Sequence, residues 1–92
     1  MDHVVVRIGQ LEHVYGTVES TRGGKLRYES DTAEGIDCLV DLVEEYRDLQ
    51  DLEDGARYRE LPNDEFLRRW ARRCTGVSIY GLWVDIVEDR PN

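Results

Sequence analysis

The sequence predicts a small α+β domain in which two amphipathic helices pack on a three- to four-stranded, mainly antiparallel sheet. Three observations predict it: β-branched, alternating segments near the start of the chain, two segments with apolar residues at helical spacing, and a final apolar run. The predicted order is βββ-α-(β)-α-β, and such segregated strands and helices are typical of the α+β class. A length of 92 residues fits one domain, 1–92, with a modest core.

Three strands are predicted in the first third of the chain. His3–Ile8 is rich in β-branched residues, Val14–Ser20 alternates, and Lys25–Glu29 is a short alternating segment. Residues 21–24 (TRGG) form a turn signal, because glycine tolerates positive φ. These segments therefore predict an antiparallel meander.

Asp31–Asp54 predicts one long amphipathic helix. Asp31 or Thr32 is suited to cap its first turn, Glu34 is suited to be the capping-box partner of Asp31, and Gly55 is suited to end the helix. The spacing of about 3.6 residues per turn places one apolar stripe toward the core, made up of Ile36, Leu39, Val40, Leu42, Val43, Tyr46 and Leu49.

The same segment carries the charge imbalance of the protein. It holds ten acidic residues against Arg47, a net charge of −9, while the whole chain carries −8. Like charges at i, i+4 cost roughly 0.2–0.5 kcal/mol per pair, so helix stability does not explain the pattern. The predicted acidic face, a candidate interaction surface, comprises Asp37, Asp41, Glu44, Glu45, Asp48 and Asp51.

A second helix is predicted to end at Cys74. Ala56–Leu61 is an extended linker or a short edge strand, because Pro62 bars helix through the residue before it. Asn63 or Asp64 then caps the helix. Its apolar stripe comprises Phe66, Leu67, Trp70, Ala71 and Cys74.

The predicted basic face of this helix is the second candidate interaction surface, and it comprises Arg68, Arg69, Arg72 and Arg73. Six arginines and three acids give Gly55–Gly76 a net charge of +3. Either this face meets the predicted acidic face, within one molecule or between copies, or the acidic face stays open for a basic partner.

The last predicted element is a strand within Val77–Val87, the most apolar run of the chain. Its β-branched and aromatic residues predict a strand covered on both faces, although the spacing also fits a helix. Glu88–Asn92 is expected to be a polar tail.

No pattern in the sequence indicates a catalytic, cofactor or metal site. Cys38 and Cys74 match no metal-ligand spacing and are typical of reduced thiols in a cytosolic protein. Cys74 lies at a helix C-terminus, where the dipole disfavours a reactive thiolate. His3 and His13, with Glu12, are a weak metal-site candidate, since exposed histidines are commoner than ligands.

Charge and hydropathy restrict the expected partners. The acidic excess disfavours nucleic acid, and no apolar run reaches the length of a membrane span. Eleven arginines, a single lysine and many acids are also typical of a surface adapted to high salt.

The sequence therefore favours a non-enzymatic structural or interaction module that docks to other proteins. A homo-oligomer or a larger assembly such as a virus particle is the expected setting, by analogy with small components of such particles, and the expected location is the cytoplasm or the particle. The alternative is an acidic nucleic-acid mimic, or a viral accessory protein, that binds a basic protein surface. A small enzyme or metal-binding protein is the weaker alternative.

Overall fold

Four antiparallel strands form one sheet in the order β3-β2-β1-β4. The computed structural model describes residues 3–21, 23–48, 55, 57–74 and 81–90. The α+β class with a four-stranded antiparallel sheet and two helices is confirmed, and the last strand pairs with the first. The strands are β1 (His3–Gln10), β2 (His13–Ser20), β3 (Leu26–Glu29) and β4 (Leu82–Arg90).

Helices α1 (Ala33–Arg47) and α2 (Asn63–Cys74) cover one side of this sheet. Alternate residues of the strands point to that side, and Val4, Val6, Ile8, Val18 and Val84 are fully buried there. α1 packs against β2 and β3, while α2 packs mainly against β4 and β1. The other side, termed the outer sheet face, carries exposed residues that include Arg7 and Asp85.

α1 is shorter than the predicted helix. The Thr32 hydroxyl accepts a hydrogen bond from the Gly35 N–H at 2.9 Å, so the helix begins at Ala33. It ends at Arg47, not at Gly55, and residues 49–54 lie outside the described residues. Leu39 and Val43 of the predicted stripe are buried, but Ile36 keeps 36% of its surface exposed.

α2 agrees closely with its prediction. It begins at Asn63, and all five residues of the predicted apolar stripe are buried. The Phe66 and Trp70 rings stack with centroids 5.4 Å apart, and Trp70 is fully buried. The 3.6-residue spacing therefore identified the inner side of this helix correctly.

The segment before α2 is neither a strand nor a simple linker. Tyr58–Glu60 forms a 3₁₀ turn, so both expectations for Ala56–Leu61 were wrong for the part that the structure describes. Tyr58 is fully buried, and its ring meets Phe66 edge to face at 5.7 Å between centroids. Burial of this aromatic ring explains the turn, because an extended segment would place alternate residues on opposite sides.

β4 confirms the predicted strand and corrects two other expectations. Residues 82–87 form a strand and not a helix, and Glu88–Arg90 extend the strand instead of forming a tail. Leu82 and Val84 are buried, but Val87 is 59% exposed, so the strand is covered on one face only. The physical reason is that β4 lies at the edge of a sheet whose helices occupy one side. Residues 77–80 lie outside the described residues.

Neither α1 nor α2 has the length and apolar character that crossing a lipid bilayer requires, a finding that covers the described residues only.

Candidate functional site

The solvent side of α1 is a continuous acidic surface. At about 100° per residue, six exposed carboxylate side chains fall within an arc of about 100° and extend over about 21 Å of helix. We term this surface the carboxylate arc. It contains five of the six residues of the predicted acidic face, together with one that the sequence reasoning assigned to capping: Glu34, Asp37, Asp41, Glu44, Glu45 and Asp48.

Glu34 was not predicted to belong to the acidic face, and its place on the arc depends on which residue caps the helix. The sequence reasoning paired Glu34 with Asp31 in a capping box. Because Thr32 is the observed N-cap, Glu34 falls on the exposed side of the first turn instead. Asp51, the sixth residue of the predicted acidic face, lies outside the described residues.

No member of the carboxylate arc forms an ion pair with another described residue. Arg47, the single basic residue of the predicted helix, turns away from the arc. Its guanidinium donates to Asn63 Oδ1 at 3.0 Å and lies 4.7 Å from the centroid of the Phe66 ring. Burial there lowers the pKa of Arg47. The cation therefore fastens α1 to the start of α2 and leaves the arc without compensation.

Most described carboxylates of the sheet and of α2, in contrast, lie close to a basic side chain. Asp85 lies 3.7 Å from the Arg7 guanidinium, and Glu19 lies 2.8 Å from His3 and 3.5 Å from Arg27. On α2 and β4 the pattern continues, with ion pairs at Asp64, Glu65, Glu88 and Asp89. Acidic residues of the described sheet and second helix are thus mostly matched with a basic side chain.

The predicted basic face of α2 is divided in two. Arg68 is engaged by Asp89 at 2.8 Å and by Asp64 at 3.3 Å, and Arg69 is engaged by Glu65 at 2.8 Å. Arg72 and Arg73 lie in the last turn on the exposed side, and Arg73 also lies close to the Tyr58 hydroxyl. The expected contact with the acidic face inside one molecule was therefore wrong for the described carboxylates of α1. The acids that reach the arginines come from α2 itself and from β4.

The two thiols lie in different surroundings and are free. Cys38 is exposed on α1. Cys74 is buried, and its Sγ lies 3.6 Å from the Tyr46 hydroxyl. Burial raises the pKa of the Cys74 thiol, so the thiol stays protonated at neutral pH. This environment agrees with the expectation that Cys74 is not an activated nucleophile.

A cavity of about 400 Å³ lies between the β2–β3 turn and the start of α2. Ser20 contributes a hydroxyl to its wall, but that hydroxyl accepts the Val4 N–H at 2.9 Å and lies 3.5 Å from the Val4 carbonyl. Arg47 and Asn63, which also line the cavity, are bonded to each other. These groups therefore connect secondary-structure elements.

The two histidines do not come together. His13 pairs with Gln10 at the hairpin end of β2, whereas His3 pairs with Arg90 at the far end of β1. At about 3.3 Å per residue these positions are separated by roughly 20 Å. The two histidines therefore lie too far apart to bind the same metal ion. Within the described ranges, no cluster of three or more histidine, cysteine or acidic residues is placed to hold a metal ion.

The β1–β2 hairpin carries a feature that the sequence reasoning missed. Leu11, the first residue of its two-residue loop, has φ of +54° and is 76% exposed. This left-handed conformation costs an L-residue about 1–2 kcal/mol and usually selects glycine or asparagine. The missed signal is a leucine in the loop of a tight hairpin, where glycine, asparagine or aspartate is the usual choice.

Comparison with known protein families, curated proteins and solved structures gives no match for this chain.

Proposed function

We propose that this protein is a non-enzymatic docking module that binds a basic surface of another protein through the carboxylate arc. One observation carries the proposal: the arc is unmatched, while most other described carboxylates of the sheet and of α2 have a basic neighbour. Unpaired carboxylates placed side by side weaken a helix, so a selective advantage outside folding accounts for them.

The contrast also bears on the alternative of a surface adapted to salt. Adaptation to salt distributes carboxylates over the whole surface, because every exposed region needs hydration. Here six carboxylates without an ion-pair partner among the described residues lie side by side on the carboxylate arc. A cooperative thermal transition in dilute buffer, without molar salt, is the expected result, and loss of folding at low salt would favour the salt-adapted surface instead.

The direct test uses a fluorescent arginine-rich peptide as a defined basic probe. The arc variant combines Asp37→Asn, Asp41→Asn and Glu45→Gln. Its matched control combines Glu12→Gln, Glu29→Gln and Glu60→Gln, which neutralises three exposed carboxylates outside the arc and changes the net charge equally. Fluorescence anisotropy measures the affinity of each protein across a salt series.

We expect the arc variant to lose at least about tenfold in affinity, equivalent to about 1.4 kcal/mol, and the control to lose much less. Binding should weaken with salt, because exposed charges are screened. Equal losses in the two variants would show that only net charge matters. Absence of binding to the probe at low salt would contradict the docking proposal.

The second candidate is an inhibitor that imitates nucleic acid. Neighbouring carboxylates of the arc are about 5–6 Å apart at i, i+4, which is close to the spacing of consecutive phosphates on one strand. No basic side chain interrupts the arc within α1, because Arg47 points to α2. This candidate predicts that the protein displaces labelled duplex DNA from a basic DNA-binding protein such as a histone dimer, and that the arc variant does not. Binding of the histone without displacement of DNA would favour simple docking.

A further inference from the structure

The side of the molecule opposite the helices carries a second distinctive surface. Val14, Gly9 and Trp83 form one row across β2, β1 and β4 on the outer sheet face. The Trp83 ring lies flat over Gly9, where its Cζ2 atom is 2.1 Å from the position of a hypothetical Cβ. Val14 is 49% exposed, and Leu11 projects from the loop beside this row. We term Leu11, Val14 and Trp83 the hairpin patch.

Leu11 is held rigidly although its side chain contributes little to the core. Its N–H donates to the Gly81 carbonyl at 2.9 Å, and its own carbonyl accepts the Trp83 indole N–H at 2.7 Å. A strained residue persists only where its surroundings determine the conformation, and such residues cluster at functional positions. The fold therefore presents an exposed leucine in one fixed orientation beside an aromatic ring, as a preorganised binding anchor does.

Charges on the rest of the outer sheet face indicate what covers this patch. The face carries both signs interspersed, with Arg7 beside Asp85 and Arg27 beside Glu19. A surface of alternating sign is complementary to a copy of itself, because rotation by a two-fold axis can place arginines opposite carboxylates. The carboxylate arc lacks this property, since two arcs repel each other.

We propose that two copies of this chain associate through the hairpin patch, with their outer sheet faces opposed. The three residues of the patch are uncharged. The charges beside them have opposite signs, since Glu12 follows Leu11 in the loop and the Arg7 guanidinium lies 5.6 Å from the centroid of the Trp83 ring. Two molecules of net charge −8 therefore meet with less repulsion there than at the carboxylate arc. Leu11 and Val14 of each copy supply the apolar centre, and the mixed charges form the rim. This association does not depend on the proposed function, and it leaves the carboxylate arc open on both copies.

The test is sedimentation velocity of the full chain over a concentration series. Leu11→Asn removes the apolar anchor while asparagine tolerates the left-handed conformation. Val14→Thr provides a second variant that keeps the β-branched shape suited to a strand. The control is Ile86→Thr, which alters an exposed apolar side chain of β4 in register with the buried Val6 and therefore on the other face of the sheet.

We expect a dimer whose dissociation constant rises at least about tenfold in each patch variant and stays within about twofold in the control. The melting temperature of the Leu11→Asn monomer should equal or exceed that of the parent chain.

Two results would overturn the proposal. Either the parent chain remains monomeric at all concentrations, or the control weakens the dimer as much as the patch variants do.

Discussion

Both helices pack an apolar side against the sheet, but the charges on their polar sides differ. The polar side of α2 is neutralised locally, with Arg68 and Arg69 held by acids of α2 and β4. The polar side of α1 is a row of carboxylates with no basic neighbour among the described residues, and Arg47 is directed elsewhere. The inner sides differ as well, since five residues of α2 are buried and only two of α1.

This difference indicates a division of roles between the helices. α2 anchors the core, and acids of α2 and β4 pair with Arg68 and Arg69, so folding accounts for this part of its surface. The carboxylates of α1 repel one another, and substitution of some of them by lysine or glutamine would remove this repulsion. The surface of α1 is therefore the one whose composition folding does not explain.

The largest expected change in the free energy of unfolding distinguishes the buried side of α2 from that of α1. Trp70→Ala should lower the free energy of unfolding by about 3–5 kcal/mol, because it empties a fully buried aromatic site. Ile36→Ala on α1 should cost only about 1 kcal/mol, since Ile36 is partly exposed. Urea denaturation followed by circular dichroism measures both. Similar losses would mean that α1 and α2 contribute equally to the core.

The next effect tests charge matching on α2. Arg68→Met keeps the aliphatic stem but leaves Asp64 and Asp89 without their cation, and should cost about 1–2 kcal/mol. Its control is Arg72→Met, an exposed position of the same helix where a change within about 0.5 kcal/mol is expected. Equal effects of the two substitutions in thermal unfolding would contradict the special role of Arg68.

Neutralising carboxylates should change the stability by smaller amounts, with a gain for α1 and a loss for α2. Asp37→Asn, Asp41→Asn and Glu45→Gln together remove two like-charge i, i+4 pairs and should stabilise the protein by about 0.4–1 kcal/mol at low salt. Glu65→Gln on α2 should instead destabilise it by a few tenths of a kcal/mol (about 0.2–0.5), because it removes the ion pair with Arg69. A loss of stability in the α1 variant would mean that its carboxylates have structural partners.

The last prediction concerns the stability of the fold in alkali, and it implies no change in stability at neutral pH. Burial raises the pKa of Tyr46 to about 12 where α1 contacts α2, aided by the bond with Cys74. An unfolded tyrosine ionises near pH 10, so between about pH 10 and pH 12 the unfolded state loses the proton first and stability falls as pH rises. Tyr46→Phe should move the midpoint of alkaline unfolding upward. An unchanged midpoint would assign the alkaline transition to other groups.

Local spacing predicted the two helices better than the final strand. Helical periodicity identified all five buried residues of α2, because a helix repeats its inner side over 3.6 residues whatever it packs against. For β4 the same run of apolar residues was compatible with one covered face or two. The answer depends on strand order, which placed β4 at an edge of the sheet.

The candidate surfaces were predictable to different degrees. Five of the six predicted acidic positions were recovered as exposed carboxylates of α1, since charge on the outside of an amphipathic helix follows from spacing alone. The hairpin patch was not predicted. Its members Val14 and Trp83 are far apart in sequence, and only the pairing of β1 with both β2 and β4 brings them into one row.

The sequence by itself determined the fold class, the inner stripe of α2 and the concentration of negative charge on α1, because these depend on residues close together in the chain. The tertiary structure decided which carboxylates are matched, where Arg47 points, which side of the sheet stays open and how Leu11 is held. The physical reason is that these properties arise from contacts between distant segments, such as Arg68 with Asp89 and Leu11 with Trp83. Strand register and helix docking set those contacts, and local periodicity contains neither.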